Sequence, residues 1–516
     1  MNACAASQEP VFVFLADPAT HGGHGVKRID THAASVFLAG DRAFKVKRAV
    51  KFPFLDYSTL EKRQAACEAE LEVNRPYAPQ IYRRVVAITR EADGRLALGG
   101  GGEPVEWAVE MRRFDEGALL SELVAKHRID AALADALGRV VAEIHARAPV
   151  VEAGPWLEAL SQYVKDNDAC FRKRPSLFAP TDVDALTQKS CAMLARAQPL
   201  LDARGRAGLV RRGHGDLHLG NIVLIDGKPV LFDAIEFDPV IASGDVLYDL
   251  AFLLMDLVER DLGEAANIVF NRYLVDARRP DDLDALAALP LFLSLRAAIR
   301  AKVTAARLNQ TGTSDKSEIE KTAHTYFDLA RRLIAPPPPR LVAVGGLSGT
   351  GKSALARALA PEIAPAPGAV LLRSDVERKA MFGVAETEPL PSSGYTPEVT
   401  ATVYASLAEK ARRVGTAGHS ALVDAVFARA DERDAIRKVA ADCGVPFTGL
   451  FLQADLGVRI ARVEARAHDA SDADAGVARQ QQDYDIGPLA GWHLVDASGT
   501  PAETRARAEA KLAERS

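Results

Sequence analysis

The sequence is poor in the residues that mark secreted or zinc-binding proteins. Its five cysteines are scattered along 516 residues and never form a CxxC pair; they are Cys4, Cys67, Cys170, Cys191 and Cys443. An odd and dispersed set argues against a disulfide framework and against a zinc site. No run approaches the roughly 20 apolar residues of a membrane-spanning helix, and the first residues lack the basic region of an export signal. We therefore expect a reducing compartment, the cytoplasm, and no membrane insertion.

The sequence also lacks an excess of positive charge. Its formal net charge is −5, with 26% charged and 48% hydrophobic residues. Nucleic acids and anionic lipids recruit basic surfaces, so neither is an expected partner, and small molecules are favoured. The length predicts two to four domains, while the oligomeric state stays open.

A run of four prolines, APPPPR at residues 335–340, gives the clearest boundary because it favours an extended spacer. Residues 1–115 have strand-like patterns, and residues 116–334 have mostly helical spacing. Residues 341–516 alternate strand and helix, which is typical of a parallel sheet with crossover helices. We predict an α/β multidomain chain, with a two-lobed α+β domain before the spacer and an α/β domain after it, each working independently.

The segment HGDLHLGN, residues 214–221, carries the first group of catalytic residue types. It is followed by two apolar runs around Asp226-Gly227, a strong hairpin signal. The hairpin returns Asp233 to the neighbourhood of Asn221, and such hard oxygen ligands suit Mg²⁺. Asp216 lies nearby and is free to accept a proton from an attacking hydroxyl. The layout predicts phosphoryl transfer.

The pattern HGDxxxxN with a strand-terminal Asp resembles the aminoglycoside phosphotransferase and choline kinase family, which is similar in fold to protein kinases. The resemblance implies Asp216 as the base, Asn221 and Asp233 on Mg²⁺, and an ATP-binding lysine. AFKVKR offers Lys45 and Lys47 on one strand face, and we favour Lys45.

The same resemblance implies a helix glutamate that pairs with this lysine. We favour Glu70 over Glu68 and Glu72. No glycine-rich GxGxxG motif precedes the lysine, so phosphate contact in the turn THAASVF, residues 31–37, would rest on backbone NH groups and Ser35. Asp249 is expected to support the catalytic loop.

The segment GLSGTGKS, residues 346–353, lies between an apolar strand and a helix, which is the context of a phosphate-binding loop (P-loop). Glycines let backbone NH groups surround a phosphate, and the helix N-terminus adds partial positive charge. A lysine reaches the outer phosphates, and Ser353 can bind Mg²⁺. The residues expected to contact the nucleotide are Gly346, Ser348, Gly349, Thr350, Gly351, Lys352 and Ser353.

The residues after this loop resemble small P-loop kinases of the gluconate kinase and zeta-toxin type. The whole chain therefore resembles a bacterial-type fusion of an aminoglycoside phosphotransferase-like domain with a P-loop kinase domain, and such fusions are often called AAA family ATPases. AVLLRSD is expected to end a strand at Asp375, and SALVDAVF ends one at Asp424. The resemblance implies Asp375 on the acceptor side, Asp424 as a Walker B-like metal residue, and Arg462 with Arg466 as lid residues. Residues 468–476 are expected to form a mobile lid tip.

Three functions are compatible with these patterns. In the first, which we favour, both domains are ATP-dependent small-molecule kinases that use Mg²⁺. In the second, the P-loop half alone turns over nucleotide and the first half is a binding or regulatory module. In the third, the chain is a zeta-toxin-like nucleotide-dependent toxin. The acceptor of either domain cannot be read from the sequence.

Overall fold

The computed structural model describes residues 8–52, 55–126, 128–309, 315–465 and 470–514. The chain forms two compact units, Met1–Gln162 with Leu201–Leu253, and Tyr163–Leu200 with Leu254–Ser516. Within the described residues, no helix combines the length and the apolar character needed to cross a bilayer.

The first unit contains twelve of the described strands. They are β1 (Val26–Asp30), β2 (Ala34–Ala39), β3 (Arg42–Lys47), β4 (Lys51–Phe52), β5 (Leu55–Asp56), β6 (Tyr82–Arg90), β7 (Leu96–Leu98), β8 (Glu103–Arg112), β9 (Val210–Arg212), β10 (Ile222–Ile225), β11 (Lys228–Leu231) and β12 (Ser243–Asp245). Its helices are α1 (Glu9–Ala16), α2 (Leu60–Asn74), α3 (Leu120–Ala125) and α4 (Ala131–Arg147). Three more helices contain residues of both units, α5 (Gly154–Arg172), α6 (Pro180–Arg206) and α7 (Val246–Glu259).

The main sheet of the first unit has the order β1-β2-β3-β8-β6-β7, and its neighbouring strands are antiparallel. Helix α2 begins after Thr59, whose side chain accepts a hydrogen bond from the backbone N–H of Lys62. It packs on β8 and β6, where Cys67 joins the apolar cluster of Ile81 and Val109. The β3 lysines and the α2 glutamates therefore lie on facing elements.

The hairpin of β10 and β11 has the expected geometry. Ile225 pairs with Lys228 across a two-residue turn in which Asp226 and Gly227 have φ of 51° and 74°. Two consecutive positive φ angles match the turn that fits the right-handed twist of paired strands. The end of β11 therefore lies beside the start of β10, and Asp233 follows two residues after β11.

The second unit joins helices that precede the proline run to the sheet that follows it. Its elements are α8 (Gly263–Ala277), α9 (Asp281–Asp284), α10 (Leu289–Ala306), α11 (Lys316–Leu333), β13 (Leu341–Gly346), α12 (Lys352–Leu359), β14 (Val370–Arg373), α13 (Ser374–Met381), α14 (Pro397–Thr416), β15 (Ala421–Asp424), α15 (Ala430–Cys443), β16 (Phe447–Gln453), α16 (Leu456–Glu464), α17 (Ala475–Gln480), β17 (Trp492–Asp496) and α18 (Pro501–Ala513). The sheet is parallel with the order β14-β15-β13-β16-β17. Its apolar core includes Val342, Val344, Leu422 and Leu450.

Residues on the two sides of the proline run contact each other within this unit. This differs from the prediction that the domains before and after the run work independently. The backbone N–H of Arg340 donates to Ser420 Oγ at 2.9 Å. Arg413 on α14 donates to Asp284 at 2.6 and 2.9 Å, and also to Asp281. Helices on the N-terminal side of the prolines thus form ion pairs with the domain on the C-terminal side.

His419 lies in the same region and gives a pH-dependent prediction. It is buried, its Nε2 lies 2.9 Å from the carbonyl oxygen of Gly368, and its ring contacts Phe270. Burial lowers the pKa of His419 to about 4. The contribution of neutral His419 to the free energy of unfolding is therefore complete above the unfolded-state pKa of about 6.5, and it is lost as the pH falls toward 4. We expect the wild type to lose about 2 kcal/mol more unfolding free energy between pH 7.5 and pH 5 than His419→Gln. Urea unfolding of both proteins at the two pH values measures this difference, and equal losses would contradict it.

Candidate active sites

The first candidate site is built on β3, α2 and the segment after β11. Lys45 Nζ lies 2.8 Å from Glu70 Oε1 and 2.6 Å from Asp233 Oδ1. Burial alone would lower the pKa of Lys45, but the carboxylates of Asp233 and Glu70 outweigh it and raise that pKa well above its usual value. Lys45 is therefore a fixed cation at the position expected to meet phosphate groups.

Lys47 is also part of this cluster, although the sequence analysis favoured Lys45 over it. Its side chain is 3% exposed, and Nζ lies 2.6 Å from Glu70 Oε2 and also contacts Glu236. Both lysines thus bind the same glutamate, one to each carboxylate oxygen. Lys45 alone of the two also contacts Asp233, which keeps it the preferred phosphate ligand.

The catalytic loop holds Asp216 beside Asn221. The Asn221 side-chain amide donates to Asp216 Oδ2 and to the Asp216 carbonyl, both at 3.0 Å. His218 Nε2 lies 3.3 Å from the same Oδ2. The Asp216 side chain remains 38% exposed, so a substrate hydroxyl can reach it.

Asp249 supports the loop from α7, as the sequence predicted. Its Oδ2 accepts the backbone N–H of His214 and its Oδ1 that of Gly215, each at 2.9 Å. His145 Nε2 lies 3.1 Å from Oδ2. Burial lowers the pKa of His214, whose Nε2 lies 3.0 Å from the Phe232 carbonyl oxygen, so His214 is a neutral loop support.

Asp233 is held in an unusual backbone conformation, with φ of 61°. Its N–H donates to Tyr82 Oη at 3.1 Å. The next residue, Ala234, is bound on both backbone groups by Asn74, whose Oδ1 accepts at 2.7 Å and whose Nδ2 donates at 3.1 Å. Sequence reasoning missed Asn74, although it lies one helical turn after Glu70 and so on the same face of α2.

The donor groups fit a magnesium ion. Asn221 directs its NH₂ group to Asp216, which leaves its carbonyl oxygen as an acceptor. Lys45 contacts Oδ1 of Asp233, and that side chain is 43% exposed. Mg²⁺ uses few protein oxygens and completes its shell with phosphate and water, so the absence of a cluster of three or more acidic, His or Cys ligands among the described residues is compatible with it.

Ser35 does not lie where a phosphate contact was expected. It is fully buried on β2, and its Oγ donates to Asp30 Oδ1 at 2.7 Å. The hydroxyl thus stabilises the turn between β1 and β2. Phosphate contact by this turn would depend on backbone NH groups.

The second candidate site surrounds the loop between β13 and α12. Gly349 and Gly351 have φ of 83° and 94°. A Cβ atom on Gly349 would lie 2.4 Å from the Arg459 carbonyl oxygen, and one on Gly346 would lie 2.7 Å from that of Leu452. Gly346 and Gly349 are therefore required by close backbone approach, and Gly351 by its positive φ. The remaining predicted residues of this loop, residues 348–353, line a cavity of about 1380 Å³.

Two side chains for which the sequence predicted no contact with this loop support it. Gln481 Oε1 accepts the backbone N–H of Ser348 at 2.7 Å. Arg459 is buried and donates to the Ser348 carbonyl at 2.9 Å. Both come from segments more than 100 residues away, and no local pattern marks such contacts.

Arg462, predicted as a lid residue, contacts backbone carbonyls. It donates to Thr350 at 3.3 Å, Ala497 at 2.8 Å and Gly499 at 2.6 Å. It lines the cavity, but its guanidinium stabilises the loop and the segment after β17. The second predicted lid residue, Arg466, lies outside the described residues.

Asp375 and Asp424 both line the cavity. Asp424 ends β15 as predicted, but β14 ends at Arg373, so Asp375 lies in the first turn of α13 and not at a strand end. The strand ends two residues earlier than predicted, and helix α13 begins at Ser374. Burial, followed by the charge of Asp424, raises the pKa of Asp375. A carboxylate with a raised pKa is suited to accept a proton near neutral pH.

The expected mobile lid tip is anchored where the structure describes it. Asp472 accepts hydrogen bonds from Lys379 Nζ at 2.7 Å, the Leu390 N–H at 2.9 Å and Tyr395 Oη. These contacts tie residue 472 to α13 and to the loop after it. Residues 468 and 469 of the predicted tip lie outside the described residues.

Comparison with known proteins identifies both domains. Residues 34–289 match the phosphotransferase enzyme family, and residues 341–485 match an AAA domain family. An uncharacterized protein of Mycobacterium tuberculosis is 32% identical over 486 residues, which cover 91% of this chain and 92% of that protein.

Two solved structures resemble one domain each. A choline/ethanolamine kinase family protein from Mesorhizobium loti has 15% identity and a TM-score of 0.40, covering 64% of this chain and 95% of its own. A gluconokinase from Sinorhizobium meliloti has 23% identity and a TM-score of 0.26, and the match covers 34% of this chain and 92% of the gluconokinase.

The matches define a chain with two kinase-type domains, and the resemblance predicted for each half is confirmed. The chain belongs to the same family as the mycobacterial protein. It is a phosphotransferase of the kinase class whose domains bind ATP, and neither the binding-module nor the toxin function is favoured.

Proposed function

We propose that the chain transfers the γ-phosphoryl group of ATP to small-molecule acceptors at two sites, one in each kinase-type domain. The observation that carries the proposal is that Lys45 Nζ lies 2.8 Å from Glu70 Oε1 and 2.6 Å from Asp233 Oδ1, in a domain whose loop presents Asp216. We further propose the cytoplasm as the compartment. The boundaries we propose for the parts are residues 1–115, 116–334, 335–340 and 341–516.

In the first domain, Lys45 binds the phosphates of ATP, and Glu70 fixes the position of Lys45. Asp216 accepts the proton of the acceptor hydroxyl as its oxygen bonds to the γ-phosphorus and the bond to the ADP oxygen breaks. Asn221 and Asp233 would hold Mg²⁺, which when bound neutralises charge on the phosphate oxygens. Asn74 keeps the backbone after Asp233 in place.

In the second domain, backbone NH groups within residues 349–353 surround the phosphates, and Lys352 contacts the outer ones. The N–H of Ser348 is bonded to Gln481, so Ser348 supports the loop. Ser353 and Asp424 would hold Mg²⁺. Asp375 is the acceptor-side carboxylate, and its raised pKa fits a proton-accepting role. Arg466 remains the proposed lid residue, while the carbonyl contacts of Arg462 favour a supporting role.

The test is phosphoryl transfer from ATP to a defined acceptor mixture of monosaccharides, aminosugars, amino alcohols and nucleosides. We expect ADP release to rise with the mixture and a phosphorylated product to be visible by mass spectrometry. Chelating Mg²⁺ should lower this turnover by at least about 100-fold, because charge neutralisation at phosphate is a large part of the rate, and adding Mg²⁺ should restore it. ATP hydrolysis that no acceptor accelerates, with no phosphorylated product, would contradict the proposal.

A further inference from the structure

Strand β14 leads directly into the helix that carries Asp375, and it is one of the two edge strands of the parallel sheet. The N–H of Val370 donates to the Ser420 carbonyl on the side of β15, so the N–H of Leu371 points away from the sheet. An edge strand with open backbone groups is loosely held unless something covers it.

Two asparagines of α8 cover this edge. Asn271 Oδ1 accepts the N–H of Leu371 at 2.7 Å, and its Nδ2 donates to the Ala369 carbonyl at 3.1 Å. Asn267 Nδ2 donates to the same carbonyl at 3.1 Å. The Asn271 side chain thus takes both bonds that a neighbouring strand would form at this point. We call Asn267 and Asn271 the amide clamp.

Helix α8 also contacts the segment that follows α13. Arg272 contacts Glu386 with two hydrogen bonds of 2.7 and 3.1 Å, and Glu386 lies five residues after α13 ends. A Cβ atom on Gly368, just before the clamped residues, would lie 2.5 Å from Asn267 Nδ2, so the approach is close. Both flanks of the helix that carries Asp375 are therefore bound to α8.

Helix α8 lies within the residues that match the phosphotransferase family, whereas the clamped strand lies within those that match the AAA domain. We propose that Asn271 is a positioning residue for the second active site, and that the first kinase-type domain thereby supplies part of the acceptor side of the second. The proposal rests on the acceptor role proposed for Asp375. Leu371 precedes Asp375 by four residues, so a shift of β14 displaces the carboxylate while the phosphate loop, on β13, keeps its place.

The test uses the full chain in an Asp216→Asn background, so that turnover of ATP with the acceptor mixture reports on the second site. We expect Asn271→Leu, which removes both hydrogen bonds at similar volume, to lower kcat by about tenfold or more, because small displacements of a reacting group are costly. The dissociation constant for ATP should change by less than about twofold. Amide exchange in residues 368–382, measured by mass spectrometry, should be about tenfold faster.

Two further variants sharpen the comparison. Arg272→Gln releases Glu386 without touching the strand, and a fall in kcat in the same direction is expected even when Asn271→Leu does not fold. Arg278→Met replaces an exposed residue at the end of α8 and should match the parent in turnover and exchange.

The proposal would be overturned if kcat and amide exchange in both Asn271→Leu and Arg272→Gln equalled those of the Asp216→Asn parent. It would also be overturned if these variants lost ATP affinity to the same extent as kcat. The variant Asp375→Asn distinguishes a failure of the positioning role from a failure of the proposed function. If Asp375→Asn keeps full turnover, or the parent shows none, the acceptor role of Asp375 is wrong and the positioning role with it. If Asp375→Asn is inactive and the α8 variants are unchanged, the positioning role alone is wrong.

Discussion

Asp216→Asn should lower acceptor phosphorylation by the first domain by about 10²- to 10⁴-fold, the usual contribution of a positioned general base. The amide can still accept the hydrogen bond that Asn221 donates to Asp216 Oδ2, so the loop should keep its structure. ATP affinity should stay within about twofold, because Asp216 acts on the acceptor and not on the nucleotide. The effect is measured as the ratio of initial rates of two proteins, Lys352→Ala alone and Lys352→Ala with Asp216→Asn. The Lys352→Ala change silences the second site in both.

Asp226→Asn is the matched control for this change. Asp226 is exposed in the β10–β11 turn with φ of 51°, a conformation that asparagine tolerates. It should therefore retain full activity. Equal rates in Asp216→Asn and Asp226→Asn would rule out Asp216 as the base.

Lys352→Ala should abolish nucleotide turnover at the second site. The side chain is the lysine of the phosphate loop, and loss of one charge-assisted contact costs about 1.5–3 kcal/mol, or about ten- to hundredfold in ATP binding before any catalytic loss. Isothermal titration of ATP should show two binding events in the wild type and one in Lys352→Ala. The remaining event should disappear or weaken in an added Asp233→Ala change.

Lys438→Ala is the control, because Lys438 is an exposed lysine of the same domain that pairs with Asp442. It should keep both binding events. A single event in the wild type would mean that one domain has lost ATP binding. Asp216→Asn and Lys352→Ala should each silence one activity, and their effects on turnover should be additive in the double variant.

Local patterns predicted several of the contacts within the first candidate site. The Asp226-Gly227 pair predicted a hairpin because both positions need positive φ, and the structure has that turn. The strand pattern could not separate Lys45 from Lys47, since alternate residues share a face. Both reach Glu70, and the contact with Asp233, almost 190 residues away in sequence, is what distinguishes Lys45.

The residues that the sequence did not reveal act through long-range backbone contacts. Asn74 binds Ala234, Gln481 binds Ser348 and Asn271 binds Leu371, with separations of 160, 133 and 100 residues. An amide that bonds to a backbone group leaves no trace in hydrophobic periodicity, because any backbone segment can be its partner. The end of β14 was predicted two residues too late, at Asp375 instead of Arg373, for a simpler reason, since element boundaries are the least certain feature of a pattern.

The ion pairs that Arg413 forms with α9, and the contacts of α8 with β14, change what a break in the proline run would do. The run lies between the residues that match the two families, so a break there is the cut that would be expected to separate them. A chain nicked there would still be held together by the amide clamp and by these ion pairs. The two fragments would then migrate as one particle in native conditions and separate only in denaturant.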